Sequence, residues 1–217
     1  MNAGLLIFLS LLLPVRHGFP EDLPEIPTEV EIARIEEFRK VRNEFLKKHP
    51  RSPLRKEDRK EFHGIDAFPI DLKYFFVGKI DRYHLNIHNP NYYATFPTNK
   101  GTNKRYVRYG KFNFELDGKA YTLELYKSIL SDSLFVPFRD ETNGRETYEM
   151  GRYIDAEILP GYHTIIDFNM AYSPNCMFNE NATCPIPPEE NFLPTRILAG
   201  EKKYEAKKGL SMISTQQ

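Results

Sequence analysis

Apolar positions along this chain change period near Gly64, and the change divides the helical part from the sheet. Thr28 opens the first element: its hydroxyl is placed to accept from Glu31, and Glu31 to reach back, as in a capping box. Ile35, Phe38, Val41 and Phe45 then recur at spacings of three and four, which predicts an amphipathic helix ended by Pro50. A second short helix is predicted from Ser52 as N-cap, with Pro53 at its first position, to about Phe62. Beyond Gly64 the apolar residues alternate. "YFFVGKI" (74–80), "YHLNIH" (83–88), "SLFVPF" (133–138), "GRYIDAEI" (151–158), "HTIIDFN" (163–169) and "LPTRILAG" (193–200) read as strands. The clearest unit is "GKFNFELDGKAYTLELY", where Asp117-Gly118 is a favoured two-residue turn. That turn sets Leu116 opposite Lys119, Phe114 opposite Tyr121 and Phe112 opposite Leu123, so both arms turn their apolar residues to one face. Many strands with tight turns and no alternating helices predict a mainly β fold, an antiparallel barrel or sandwich with the N-terminal amphipathic helix packed on it.

Composition agrees. Of 217 residues 41% are hydrophobic, enough for a core, and 16 Phe and 13 Tyr with no Trp favour strands. Lys plus Arg and Asp plus Glu both number 30, so no global charge argues for nucleic acid or an acidic membrane surface. "LLIFLSLLLPV" (5–15) is too short to span a bilayer and suits the hydrophobic part of a secretory signal, although no basic residue precedes it. The expected organisation is a signal peptide or uncleaved anchor over 1–18, a linker and helix over 19–50, one β-rich domain over 51–206 and a flexible tail over 207–217. The expected location is periplasmic, envelope-anchored or secreted, with the membrane touched only by the N-terminal segment; a cytoplasmic chain is the alternative.

From Phe135 onward the motifs become long and specific: "LFVPFRDETNGRETYEMGRYID", then "DFNMAYSPNCMFNENATCPIPPEENFLPTRILAGEKKY". Here the chain resembles the family called domain of unknown function 1684, from about Ser52 to Tyr204. The resemblance implies a single β-rich domain, bacterial, often behind a signal or anchor. It brings no catalytic roles.

Both cysteines lie in "NMAYSPNCMFNENATCPIPP" (169–188). A zinc site wants four ligands, commonly in close pairs, and no histidine adjoins these two. A catalytic thiol needs a base, for which His163 is the candidate. A disulfide needs an oxidising compartment and Cα atoms about 4.4–6.8 Å apart. The Cys176–Cys184 bridge is the preferred reading for an exported chain, worth about 2.6 kcal/mol for a loop of this length.

The candidate site is polar. Arg139, Arg145 and Arg152 are predicted to bind a carboxylate or phosphate in a pocket, because the guanidinium fork engages two oxygens at once. Tyr148, Tyr153 and Tyr172 would supply walls and hydroxyls, with Glu146, Asp167 and Asn169 around them. The competing reading is an internal network in which Asp140, Glu146 and Asp167 neutralise these arginines. A hydrolase using Glu146 and Asp167 as acid and base, or Cys176 with His163, is the enzymatic alternative; a structural interaction protein without a pocket is the third. His84 and His88 do not make a shared metal site, because on a strand they stand roughly 13 Å apart. No metal and no cofactor is expected, since phosphate-cradling loops, dinucleotide fingerprints and nucleophile elbows are missing. A small anionic or polar ligand is the expected partner.

Overall fold

The computed structural model describes residues 26–128 and 131–204. The apolar segment 5–15 and the tail 207–217 lie outside the described residues. The elements are α1 (Thr28–Lys48), α2 (Asp58–Glu61), β1 (Phe75–Lys79), β2 (Asp81–Arg82), β3 (Tyr93–Pro97), β4 (Asn103–Leu116), β5 (Lys119–Lys127), β6 (Leu134–Asp140), β7 (Arg152–Ala156), β8 (His163–Asp167) and β9 (Phe192–Leu193). The fold is mainly β. A seven-stranded sheet follows the path β2-β4-β5-β6-β7, with β3 beside β4 and β9 beside β6; β1 and β8 form a two-stranded sheet. Among the described strands the hydrogen-bonded path does not close on itself. No helix among the described residues is long and apolar enough to cross a membrane.

The β4–β5 hairpin forms in the predicted register, with Leu116, Phe114 and Phe112 opposite Lys119, Tyr121 and Leu123. Asp117 and Gly118 both take positive φ, 51° and 74°, as a turn matching the strand twist requires. Its apolar face joins Val136, Phe138, Ile154, Ile166 and Phe168 in the main core. β5 and β6 pair directly only at Tyr126–Phe135 and Lys127–Leu134. Where they splay, the fully buried Asn191 side chain stands in for the missing ladder. Its Oδ1 accepts from the Glu124 amide and its Nδ2 donates to the carbonyls of Glu124 and Pro137. β9 pairs parallel to β6, the exception to the antiparallel expectation.

Five expectations need correction. The N-cap of α1 is Pro27, one residue earlier than predicted; its carbonyl accepts from Val30 and Glu31, and proline has no amide for Glu31 to bond. In the helical stripe Ile35 and Leu46 are buried while Val41 is 54% exposed. The second helix shrinks to the four residues of α2, because Arg59 bonds the carbonyls of His49, Ser52 and Leu54 and so satisfies a loop in place of a turn of helix. "YHLNIH" forms no strand. β2 and β3 occupy the same side of β4, at 110–111 and 103–107, and residues 83–92 bridge them as an excursion. "LPTRILAG" is strand only at Leu193, for a reason that lies in Arg152.

Candidate functional site

Arg152 has no solvent exposure. Its guanidinium pairs with Asp140 at 3.3 Å and donates to the carbonyls of Ile197, Ala199 and Glu201. Asp140 also accepts from the Thr142 hydroxyl and from the Ile197 amide. In the irregular segment 195–201 the ion pair thus serves the Ile197 amide and the carbonyls of Ile197, Ala199 and Glu201, while the Thr195 and Gly200 carbonyls and the Glu201 amide bond to the backbone of Glu141, Phe68 and Ala171 respectively. Burial pushes the Arg152 pKa down and Asp140 holds it up. Every direction around this arginine is taken by protein.

The three predicted arginines therefore do not converge. Arg139 is half-buried and lies 4.0 Å from Glu189, while Arg145 is exposed in the turn after Gly144. The carboxylates are also separated: Glu146 pairs with Arg196, and Asp167 with Arg34. His163 is held by the Pro160 carbonyl through Nδ1, whereas the neighbours of Cys176 are Cys184 and Tyr148. Asp167 does not face solvent. It is 2% exposed, accepts from the amide and side chain of Asn169, and is covered by Arg34. Asn169 in turn closes a pair of bonds with the backbone of Asp71.

These residues form part of the floor on which α1 docks, where its arginines add to the burial of Ile35 and Leu46. Arg34 reaches Asp167, Arg39 reaches the Asn169 carbonyl, and Arg42 reaches Glu201 and the Ser173 carbonyl. Burial pushes the Asp167 carboxyl above its ordinary 3.8, against the Asn169 hydrogen bonds and the Arg34 charge. A raised folded pKa means that the native state holds the proton more tightly than the unfolded chain does. This contribution to stability is full below 3.8 and is lost as pH rises through the folded value. Urea midpoints measured against pH are expected to fall, over that window, in the wild type relative to Asp167→Asn; parallel curves would contradict it.

The convergent site lies elsewhere and uses the tyrosines. Five rings run in a row across four strands and a loop. Phe96 stacks on Tyr106 at 5.0 Å, Tyr106 on Phe135 at 4.9 Å, Phe135 meets Tyr153 at 4.9 Å, and Tyr153 meets Tyr172 edge-on at 5.9 Å. The Arg42 guanidinium caps the row, 5.0 Å from the Tyr172 ring. β4, β6 and β7 present Tyr106, Phe135 and Tyr153 on one face. Tyr172 is added by a one-residue bridge, exchanging both backbone hydrogen bonds with Tyr153. Its hydroxyl donates to Asp155, and that of Tyr153 to the Pro185 carbonyl.

A cleft of about 290 Å³ opens over this row, lined also by Lys104, Asn175, Thr183 and Cys184. The far wall is the segment 182–186, which Asn99 pins to the β3–β4 turn: its side chain accepts from the Cys184 amide and donates to the Ala182 carbonyl. Lys104 reaches the Thr183 carbonyl at the rim. Of the predicted site residues, Tyr153 and Tyr172 belong here and Tyr148 lies behind Cys176. Lys104, Tyr106, Phe135 and Asp155 were not foreseen. The alternation of Tyr106 with Lys104 and Arg108 on β4 is their one trace in the sequence.

The two cysteines meet as free thiols, both buried. The Cys176 amide donates to Cys184 Sγ at 3.0 Å, and the thiols also hydrogen-bond to each other.

Comparison with known proteins adds kinship and no activity. No curated protein matches the sequence. The solution NMR structure of an uncharacterized protein from Haloarcula marismortui is similar, with a TM-score of 0.63 and 31% identity over 81% of this chain and 95% of that one. That organism is an archaeon, so the bacterial setting implied by the resemblance is too narrow. The family model described as protein of unknown function (DUF1684) matches residues 60–202, two thirds of the chain, including the aromatic row and the thiol pair. The chain belongs to the DUF1684 family.

Proposed function

We propose that the protein is a binding module, and that its site is the aromatic cleft over Tyr106, Phe135, Tyr153 and Tyr172. The observation that carries this reading is the ring row itself: four aromatic side chains held at fixed angles along one open wall, with Lys104 at the rim. A cleft of about 290 Å³ sits at the lower end of ligand-site volumes and suits a single ring. Aromatic rings offer apolar contact to a ligand ring, and a phenolic oxygen that already donates can still accept from a ligand hydroxyl. The lysine ammonium is a point charge suited to one carboxylate. The ligand class is therefore a six-membered polyol ring bearing a carboxylate, as in a uronic acid. Binding is favoured over hydrolysis because Glu146 and Asp167 are each engaged by a separate arginine away from this cleft.

The apolar stretch at residues 5–15 supports an exported location: periplasmic, envelope-anchored or secreted. The β1–β8 sheet, with Phe76 against Phe114, supports reading the β-rich unit as a sandwich.

Calorimetric titration with galacturonate and with galactose tests the proposal. Saturable binding of galacturonate is expected. Lys104→Met is expected to weaken it about fivefold, ~1 kcal/mol for one exposed ion pair, and to leave galactose unchanged. Equal weakening of both sugars, or binding of neither, contradicts the reading.

A further inference from the structure

The thiols occupy a position that a structural role alone does not need. Cys184 lines the aromatic cleft, while Cys176 lines a second cleft of about 380 Å³ with Leu54, Arg55, Asp58 and Tyr204. The pair therefore stands between two openings, Cys184 4% and Cys176 8% exposed, with each residue lining a different cleft. Their environments differ. Cys184 Sγ accepts from the Cys176 amide, lies against the Cys176 thiol and faces the Lys104 charge. Cys176 instead gives its proton to Cys184 and adjoins the Tyr148 hydroxyl.

We propose that Cys176 and Cys184 are a reversible dithiol–disulfide pair, with Cys184 as the attacking thiol and Cys176 as the resolving one. The oxidant is a small-molecule disulfide entering by the aromatic cleft. The Cys184 thiolate attacks one sulfur of that disulfide, its S–S bond breaks, and one thiolate leaves and takes up a proton. Cys176 then gives up its proton and attacks the Cys184 sulfur, expelling the second thiol. In sum a protein dithiol and one disulfide become a protein disulfide and two small thiols, and two electrons pass to the oxidant. The asymmetry supports this division of labour. Hydrogen bonds donated by the Cys176 thiol and amide, with the Lys104 charge, bring the Cys184 pKa down to about 7 against the opposing effect of burial. Hydrogen bonding to Cys184 pushes Cys176 up. A thiol near ambient pH is the better attacking group. The ionisable groups facing the pair are Lys104, Tyr106, Tyr148 and Tyr153, with Arg55, Asp58, Glu180 and Tyr204 around the cleft on the Cys176 side. The tyrosine hydroxyls are all held above their ordinary pKa, mainly by burial, so Lys104 is the charged group facing Cys184 at neutral pH.

The inference stands apart from the ligand reading and has its own test. The full chain is equilibrated in reduced and oxidised glutathione at graded ratios, quenched in acid, alkylated and weighed intact. The folded wild type is expected to lose two hydrogens reversibly and to retain no glutathione. Cys176→Ser is expected to accumulate one glutathione on Cys184, and Cys184→Ser to react at least tenfold more slowly. In the reduced wild type iodoacetamide is expected to label Cys184 first, with a rate rising around pH 7. The proposal is overturned if Cys176 is labelled first, if the wild type keeps the glutathione adduct, or if no internal bond forms at any ratio. A bond reducible only after unfolding also overturns it, and makes the pair a static staple.

Discussion

Arg152→Ala is expected to lower the stability of the folded chain by about 3–5 kcal/mol, the range for removing one partner of a buried ion pair. The mechanism is specific. Asp140, 3% exposed, would keep its bonds from Thr142 and Ile197 but lose the guanidinium that it pairs with. The carbonyls of Ile197, Ala199 and Glu201 would lose their donor at the same time. Domains of this size unfold with a total of about 5–15 kcal/mol, so about a fifth or more is at stake. At roughly 2–4 °C per kcal/mol the melting temperature should drop by about 6–20 °C. Arg152→Lys should not restore it, because one ammonium has neither the reach nor the fork to serve four acceptors on different residues. Calorimetry of the three proteins checks this; a drop under ~1 kcal/mol for Arg152→Ala would show that the network is not what orders residues 195–201.

Glu201→Ala is the second large effect, and it reaches the cleft. One oxygen of Glu201 accepts from Arg42 at 3.0 Å, and the other from the Ser173 amide at 2.7 Å. The carboxylate therefore joins α1 to the residue following Tyr172. Without it Arg42 keeps the Ser173 carbonyl but loses its countercharge in a site where its side chain is 14% exposed. The expected cost is about 3 kcal/mol, from an uncompensated, mostly buried charge and an orphaned amide. Hydrogen exchange should locate it: the Ser173 amide should lose its protection before the β4–β5 hairpin does. Tyr172 should lose its fixed angle to Tyr153, and galacturonate binding should fall with it. Unchanged Ser173 protection would mean that the segment is held by other contacts.

Local rules carried much of the fold. The Asp117-Gly118 turn and the alternation around it set a register that the structure reproduces residue for residue. Strands β1, β6, β7 and β8 also lie where alternation placed them, within one or two residues. The errors share a cause. In 83–88 the alternation is real, but both flanking strands already pair along β4, and no edge remains for it. In 193–200 the backbone is satisfied by a side chain forty-odd residues away, which no window of sequence reveals. α1 was predicted to dock by an apolar stripe. It docks by part of that stripe, with Ile35 buried and Phe45 packed beside the buried Leu46, and also by arginines at positions 34, 39 and 42, whose acceptors come from the far end of the chain.

The site followed the same division. Crowding of Arg, Glu and Tyr over 139–153 correctly marked a region rich in side-chain interactions. Its arginines and carboxylates stabilise irregular backbone, and the open surface is aromatic. Tyr153 and Tyr172 were legible as candidates; their alignment with Tyr106 and Phe135 arises only when three strands and a bridge come together. The cysteine pair was legible as a pair, and its two-sided exposure was not.

The binding claim meets its most direct test in intermolecular nuclear Overhauser effects between galacturonate ring protons and the aromatic protons of the chain, at saturating sugar. Cross-peaks to Tyr106, Tyr153 and Tyr172 are expected, with their loss in Tyr172→Ala while the hairpin resonances stay unmoved. Cross-peaks confined to other tyrosines, or none at saturation, would contradict it.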